Sequence, residues 1–154
     1  MFNGIGNKVV VKVLSLSLIG GWLGHAGESL ADSGSTKLTV ALSGFENSKA
    51  HAIVKLYRNG QDVLGPPYQL IRSVIRDNKA SITFDDLTPG EYAVVAFHDE
   101  NDNGKIDHNF LGMPTEALGF SNGFVAGITT GMPTWDKLKF KLDANGRSLN
   151  IKLD

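Results

Sequence analysis

The sequence predicts an all-β fold, an antiparallel β-sandwich of about seven strands with one long ordered loop segment. Three observations predict it. Short stretches alternate apolar and polar residues with a period of two, clusters of Gly, Pro, Asn and Asp separate them, and no stretch of convincing helical amphipathicity interrupts them.

The first strand is read from KLTVALSGF, in which Leu38, Val40 and Leu42 share one face and Lys37, Thr39, Ala41 and Ser43 the other. HAIVKLYRNG follows, with Ile53 or Val54, Leu56 and Tyr57 inward and Asn59-Gly60 as a turn pair. QLIRSVIRD fits a short helix as well as a strand, and its length favours the strand. KASITFDDL directs Ile82 and Phe84 to one side. GEYAVVAFHD opposes Tyr92, Val94, Ala96 and His98 to Ala93, Val95 and Phe97. Thr88-Pro89-Gly90 between the last two predicts a hairpin. DKLKFKLDANGRSLNIKLD alternates Leu138, Phe140 and Leu142 with lysines, turns at Asn145-Gly146 and returns through Leu149, Ile151 and Leu153, which predicts a closing hairpin. Residues 99–135 have little strand periodicity, and ordered loops of that length are usually functional.

The chain has 154 residues, 42% of them hydrophobic, enough for one domain with a true core. Residues 1–31 read as a secretory signal: Lys8 and Lys12, an apolar run over residues 13–23, then Ser29-Leu30-Ala31 at the small-residue cleavage positions. The uncharged run ends at Ala26, a second cleavage candidate, and falls short of the roughly twenty residues that span a bilayer. Residues 32–154 then form a single exported domain, periplasmic or extracellular, with no transmembrane anchor after cleavage. It retains 13 basic and 15 acidic residues, a mild net negative charge that gives no sign of a nucleic-acid surface or a polybasic membrane patch. The chain has no cysteine, so disulfides, thiol catalysis and thiolate metal sites are excluded.

The chemistry concentrates in AFHDENDNGKIDHNF, residues 96–110. Calcium takes six to eight oxygen ligands, and short loops supply them from alternate positions with a glycine at the sharp turn. Asp99, Asn101 and Asn103 occupy positions one, three and five, Gly104 position six, the carbonyl of Lys105 position seven, and Asp107 position nine. Phe110 stands where an EF-hand needs its bidentate glutamate, and the loop follows a strand, so an EF-hand is rejected. Glu116 is the carboxylate placed to reach back and complete a strand-borne calcium site. Glu100 and Asp102 point away in this register and read as solvated charge, and the competing reading of the whole loop is a metal-free polar turn.

These residues also carry a resemblance. Leu87–Ala93 (LTPGEYA), His98–Asp107 (HDENDNGKID) and Gly112–Asn122 (GMPTEALGFSN) resemble the motifs of an exported bacterial family known as domain of unknown function 2141. More locally, the loop is similar to calcium loops in the B-type repeats of Gram-positive surface adhesins. Both resemblances imply an immunoglobulin-like or transthyretin-like sandwich with calcium as the ion, and neither implies an activity.

Other residues allow competing readings. His98 and His108 bracket the loop and raise a transition-metal or hydrolase-like site around His98, with Ser121 and Asp99 as conceivable triad partners. The alternative for His98 is a hydrogen-bonded strand-end residue that orients a loop carboxylate, while His51 reads as an ordinary surface residue. GMPTEALGFSNG and GITTGMPTWD, with Phe120, Phe124 and Trp135, read as anchors that pin the long loop to the sandwich. The expectation is an exported non-enzymatic module that binds calcium and presents a surface to a protein or glycan partner at the cell envelope. A metal-free structural or carbohydrate-contacting module is its competitor.

Overall fold

A computed structural model describes residues 34–154; the expected signal segment, with its cleavage site after Ala31, lies outside the described residues. Eight strands form two packed sheets. They are β1 (Thr36–Ser43), β2 (His51–Arg58), β3 (Gln69–Val74), β4 (Ala80–Leu87), β5 (Gly90–Asp99), β6 (Leu118–Phe120), β7 (Phe140–Leu142) and β8 (Arg147–Lys152). A single helical turn, α1 (Trp135–Leu138), precedes β7. The first sheet has the order β4-β1-β8; the second runs β3-β2-β5-β6, with β7 also paired to β5.

The alternation read from the sequence packs the space between the sheets. Leu38, Val40 and Leu42 of β1, with Ile82 and Phe84 of β4, meet Val54 and Leu56 of β2 and Tyr92, Val94 and Ala96 of β5. Each fully buried aliphatic or aromatic side chain here contributes roughly 1.5–3 kcal/mol. The ambiguous QLIRSV is a strand, and its alternating half-buried and exposed pattern is that of a sheet edge.

Strand partners differ from expectation. The stretch 136–154 does not fold as a hairpin: β7 pairs antiparallel with β5 in one sheet, and β8 pairs parallel with β1 in the other. The sandwich is therefore mixed rather than wholly antiparallel. The period-two series Leu138, Phe140, Leu142 misled because all three are buried, but in different places. Leu138 ends α1 and packs outside the second sheet, whereas Phe140 and Leu142 enter the core between the sheets. Nor does Thr88-Pro89-Gly90 join a hairpin, since β4 pairs with β1 and β5 with β2. That turn carries the chain from one sheet to the other, fastened by the Tyr92 hydroxyl donating to the Thr88 carbonyl at 2.8 Å, a tyrosine-corner arrangement.

β5 is buried on both faces from Tyr92 to Asp99. Its outer side chains Ala93 and Val95 lie under Tyr57, Val63, Phe120 and Leu138, with Phe124 and Trp135 packed against them, so the long segment does anchor to the sandwich through its aromatics. Its edge is shared by two short strands, β7 at Gly90–Tyr92 and β6 at Val95–Phe97. Ser121 fills the gap between them. Its Oγ accepts from the Val94 N–H at 2.9 Å and donates to the Leu138 carbonyl at 2.6 Å, satisfying buried backbone that no strand reaches.

Gly119 of β6 lies under the last strand, where a Cβ would stand 2.6 Å from the Ile151 Cγ2 and 3.1 Å from the Lys152 carbonyl oxygen. Gly119→Ala is expected to cost about 1–3 kcal/mol by overpacking, measured as a lower urea midpoint. Gly65→Ala, whose Cβ meets only ordinary contacts at 3.4 Å and beyond, moves the midpoint far less.

Burial, with the Asp62 charge as a lesser cause, pushes the Tyr57 phenol from 10.0 up to about 12. The folded state therefore holds this proton after the unfolded chain has lost it, and stability falls as pH rises from 10 to about 12, by roughly 2–3 kcal/mol. Tyr57→Phe cannot lose it. Its stability deficit at neutral pH should shrink or reverse across that window in urea denaturation.

Candidate functional site

The site grows from strand register. β6 pairs Val95 with Phe120 and Phe97 with Leu118, and the His98 N–H continues the ladder to the Ala117 carbonyl at 3.1 Å. The next position places Glu116 across from Asp99. Residues 100–117 connect β5 to β6, and Asp99 and Glu116 bring two carboxylates to the base of that connection. His51 of β2 pairs with Asp99 on the other side.

Asp99 is fully buried, with 0% side-chain exposure. Its Oδ2 accepts from Arg72 Nη2 at 2.9 Å and from the Gly104 N–H at 3.0 Å. Its Oδ1 accepts no hydrogen bond, although buried polar oxygens almost always find a donor. Gly104 has φ +76°, the left-handed conformation that lets the loop turn back onto Asp99.

The remaining loop residues gather around Asp107. Asn101 and Asn103 each donate an Nδ2–H to its carboxylate, Asn103 to both oxygens at 3.0 Å. Their Oδ1 atoms meanwhile accept from the N–H groups two residues on, Asn103 and Lys105. These Asx turns set the alternate-position pattern by local hydrogen bonding. Glu116 clamps both ends of the loop: Oε1 accepts from the Glu100 N–H at 3.1 Å and Oε2 from the Asp107 N–H at 3.2 Å. Burial raises the Glu116 pKa, these two N–H groups oppose that rise, and the charges of Asp107 and Asp99 add to it. Glu116 therefore feels the charges of both Asp107 and Asp99. Among the described residues, however, no three His, Cys, Asp or Glu side chains stand close enough to hold one ion, so carboxylates alone do not make a site. Asparagine and backbone oxygens must complete any cation shell here.

Asp102 is not the free solvated charge expected. It bonds His51 Nδ1 through Oδ1, and Arg72 Nη1 lies 3.8 Å from the same oxygen, which also removes His51 from the ordinary surface class. Sequence reasoning missed Arg72 altogether, because it stands on β3, 27 residues before Asp99. His98 is buried; its Nε2 lies 2.9 Å from the Lys49 carbonyl, its Nδ1 3.5 Å from Glu100 Oε1, and its ring meets Phe45 edge-on. It faces Glu100 rather than an expected ligand. Ser121 is committed to Val94 and Leu138, and His98 lies four residues further along β5, so the triad weighed from sequence is not assembled.

Beyond Asp107 the chain forms a small finger. The Thr115 N–H donates to the Asp107 carbonyl and the Asn109 N–H to the Met113 carbonyl, both at 2.9 Å, while Asn109 Oδ1 accepts from the N–H groups of Leu111 and Met113. This ordered turn exposes Phe110, 94% accessible, with Leu111 and Met113 beside it.

Residues 40–150 match the family model described as "Uncharacterized protein conserved in bacteria (DUF2141)". The match spans the strands, the loop and the finger. No curated protein and no solved structure matches the chain.

Glu116→Ala leaves two backbone N–H groups without their acceptor and is expected to destabilise the metal-free protein by about 1–3 kcal/mol. Glu116→Gln, which keeps one acceptor oxygen, should lose less. Urea unfolding in chelator orders the two variants; equal stability of Glu116→Ala and wild type would remove the clamp from the account.

Proposed function

The chain belongs to this uncharacterized bacterial family, DUF2141, and we propose that it is an exported, non-enzymatic β-sandwich that binds calcium at the β5–β6 loop and presents a surface to a partner at the cell envelope. The observation that carries the reading is the Asp99 carboxylate: fully buried, with Oδ1 unpartnered, inside a loop built of oxygen donors. A hard cation is the partner that such an oxygen suits best. Asp99, Asn101, Asn103, the Lys105 carbonyl, Asp107 and Glu116 supply six candidate oxygen donors, the lower bound of calcium's range.

Binding exchanges hydrogen bonds for ligation. Each Asn Oδ1 has a second lone pair beside the one given to its Asx turn. With an ion bound, the Nδ2–H contacts of Asn101 and Asn103 to Asp107 would give way to ligation, and the ion's charge would offset the charges of Asp107 and Asp99 beside Glu116. Because Asp107 is both a ligand and the base of the finger, the ion couples loop order to the presentation of Phe110, Leu111 and Met113. The partner, protein or glycan, then meets a surface whose order depends on calcium.

Thermal unfolding in chelator and then in calcium tests this. An ion that binds only the folded loop should raise Tm by about 10 °C when calcium is about a hundredfold above Kd. Asp99→Ala and Asp107→Ala abolish the rise, and His98→Ala keeps it whatever its baseline. Absence of a shift with calcium, magnesium or zinc would overturn the reading.

A further inference from the structure

We propose that Arg72 is a tethered cation that holds one side of the Asp99 carboxylate and sets how tightly the loop binds a divalent ion. This rests on the calcium reading above and identifies the residue that tunes that site.

β3 lies on the far side of β2 from β5, and the register pairs Arg72 with Ile53 and Ile53 with Phe97, all on the outer face. Asp99 stands one row further along that face. The guanidinium therefore reaches diagonally across β2 to bond Asp99 Oδ2 at 2.9 Å, and its Nη1 comes within 3.8 Å of Asp102 Oδ1. It links the first and fourth residues of the loop. Arginine does not deprotonate in proteins, so this charge is permanent. Only Oδ1 of Asp99 remains for a ligand-seeking ion.

Two consequences follow from one carboxylate serving two cations. Without the ion, Arg72 neutralises a buried charge that would otherwise oppose folding, and the loop keeps its turn. With the ion, guanidinium and dication would share one carboxylate and repel each other. The guanidinium is 39% exposed, so solvent and salt screen most of that repulsion, and the expected effect on affinity is about tenfold. Arg72 thus makes the site weaker than the same donor set would be without it.

Calcium titration by calorimetry of the purified wild type, Arg72→Gln and Arg72→Lys tests this. The expected result is a Kd about tenfold lower for Arg72→Gln, a lower Tm of that variant in chelator, and a Kd for Arg72→Lys within about threefold of wild type because its charge is kept. If Arg72→Gln folds only when calcium is added, its Kd carries the cost of folding, and Arg72→Lys decides, as it does where Arg72→Gln never folds. If wild type binds and Arg72→Gln binds no tighter, the proposal fails while the calcium site survives. Should Arg72→Gln not fold at any calcium concentration, Arg72→Lys decides: wild-type affinity supports charge as the determinant, and a tenfold change overturns it. If none of the three binds calcium, both the site and its tuning fall.

Discussion

The structure depends on a strand that must be covered on both faces. β5 presents Tyr92, Val94 and Ala96 to the first sheet and Ala93, Val95 and Phe97 to the opposite side, where the described residues form no third sheet. The long segment between β5 and β7 supplies that cover with Phe120, Leu138, Phe124 and Trp135. Its length follows from this duty, because one stretch of chain must leave the end of β5, return along its edge as β6 and cross its outer face before β7 begins. Ser121 shows the constraint in one hydroxyl, which completes the β5 hydrogen bonds where neither short strand reaches.

The same constraint builds the candidate site. A loop on an open sandwich end would leave Asp99 in water. Here Asp99 is buried, bonded by Arg72 of β3 and the Gly104 N–H of the loop, and the β5–β6 register continued by two residues sets Glu116 opposite. The carboxylate is left with one strong cationic partner, one backbone donor and one unpaired oxygen. Paired strands place the base of the loop, local Asx turns shape its middle, and the finger extends from Asp107.

Charge compensation gives the outer face its polarity. Asp99 and Asp102 share Arg72, and Asp102 also meets His51, so three strands and the loop contribute to one network. Lys55 lies over the Phe97 ring on the same face at 5.1 Å, its pKa lowered by burial. A mild net charge read from composition conceals this local pairing of opposite signs. Total charge speaks to solubility and broad partner class, whereas the affinity of a site depends on which charges share a carboxylate.

What the sequence alone determined is what short-range physics governs. Period-two alternation marked β1, β2, β4 and β5, and the Asp, Asn and Gly positions of residues 99–107 marked a loop whose Asx turns and left-handed glycine form from neighbouring atoms. Glu116 was legible as a carboxylate placed to reach back to the loop, and the structure shows it accepting from the Glu100 and Asp107 N–H groups. The choice of partners was decided by tertiary structure. Apolar alternation says that a strand has a buried face but not which sheet buries it, so β7 and β8 could look like a hairpin while joining different sheets. Leu138 looked like the first of three strand residues because burial outside β5 is indistinguishable, along the chain, from burial between the sheets. Arg72 carried no local signal at all. Its side chain meets Asp99 only because β2 brings the two strands together, and a charge pair 27 residues apart is specified by register rather than by spacing.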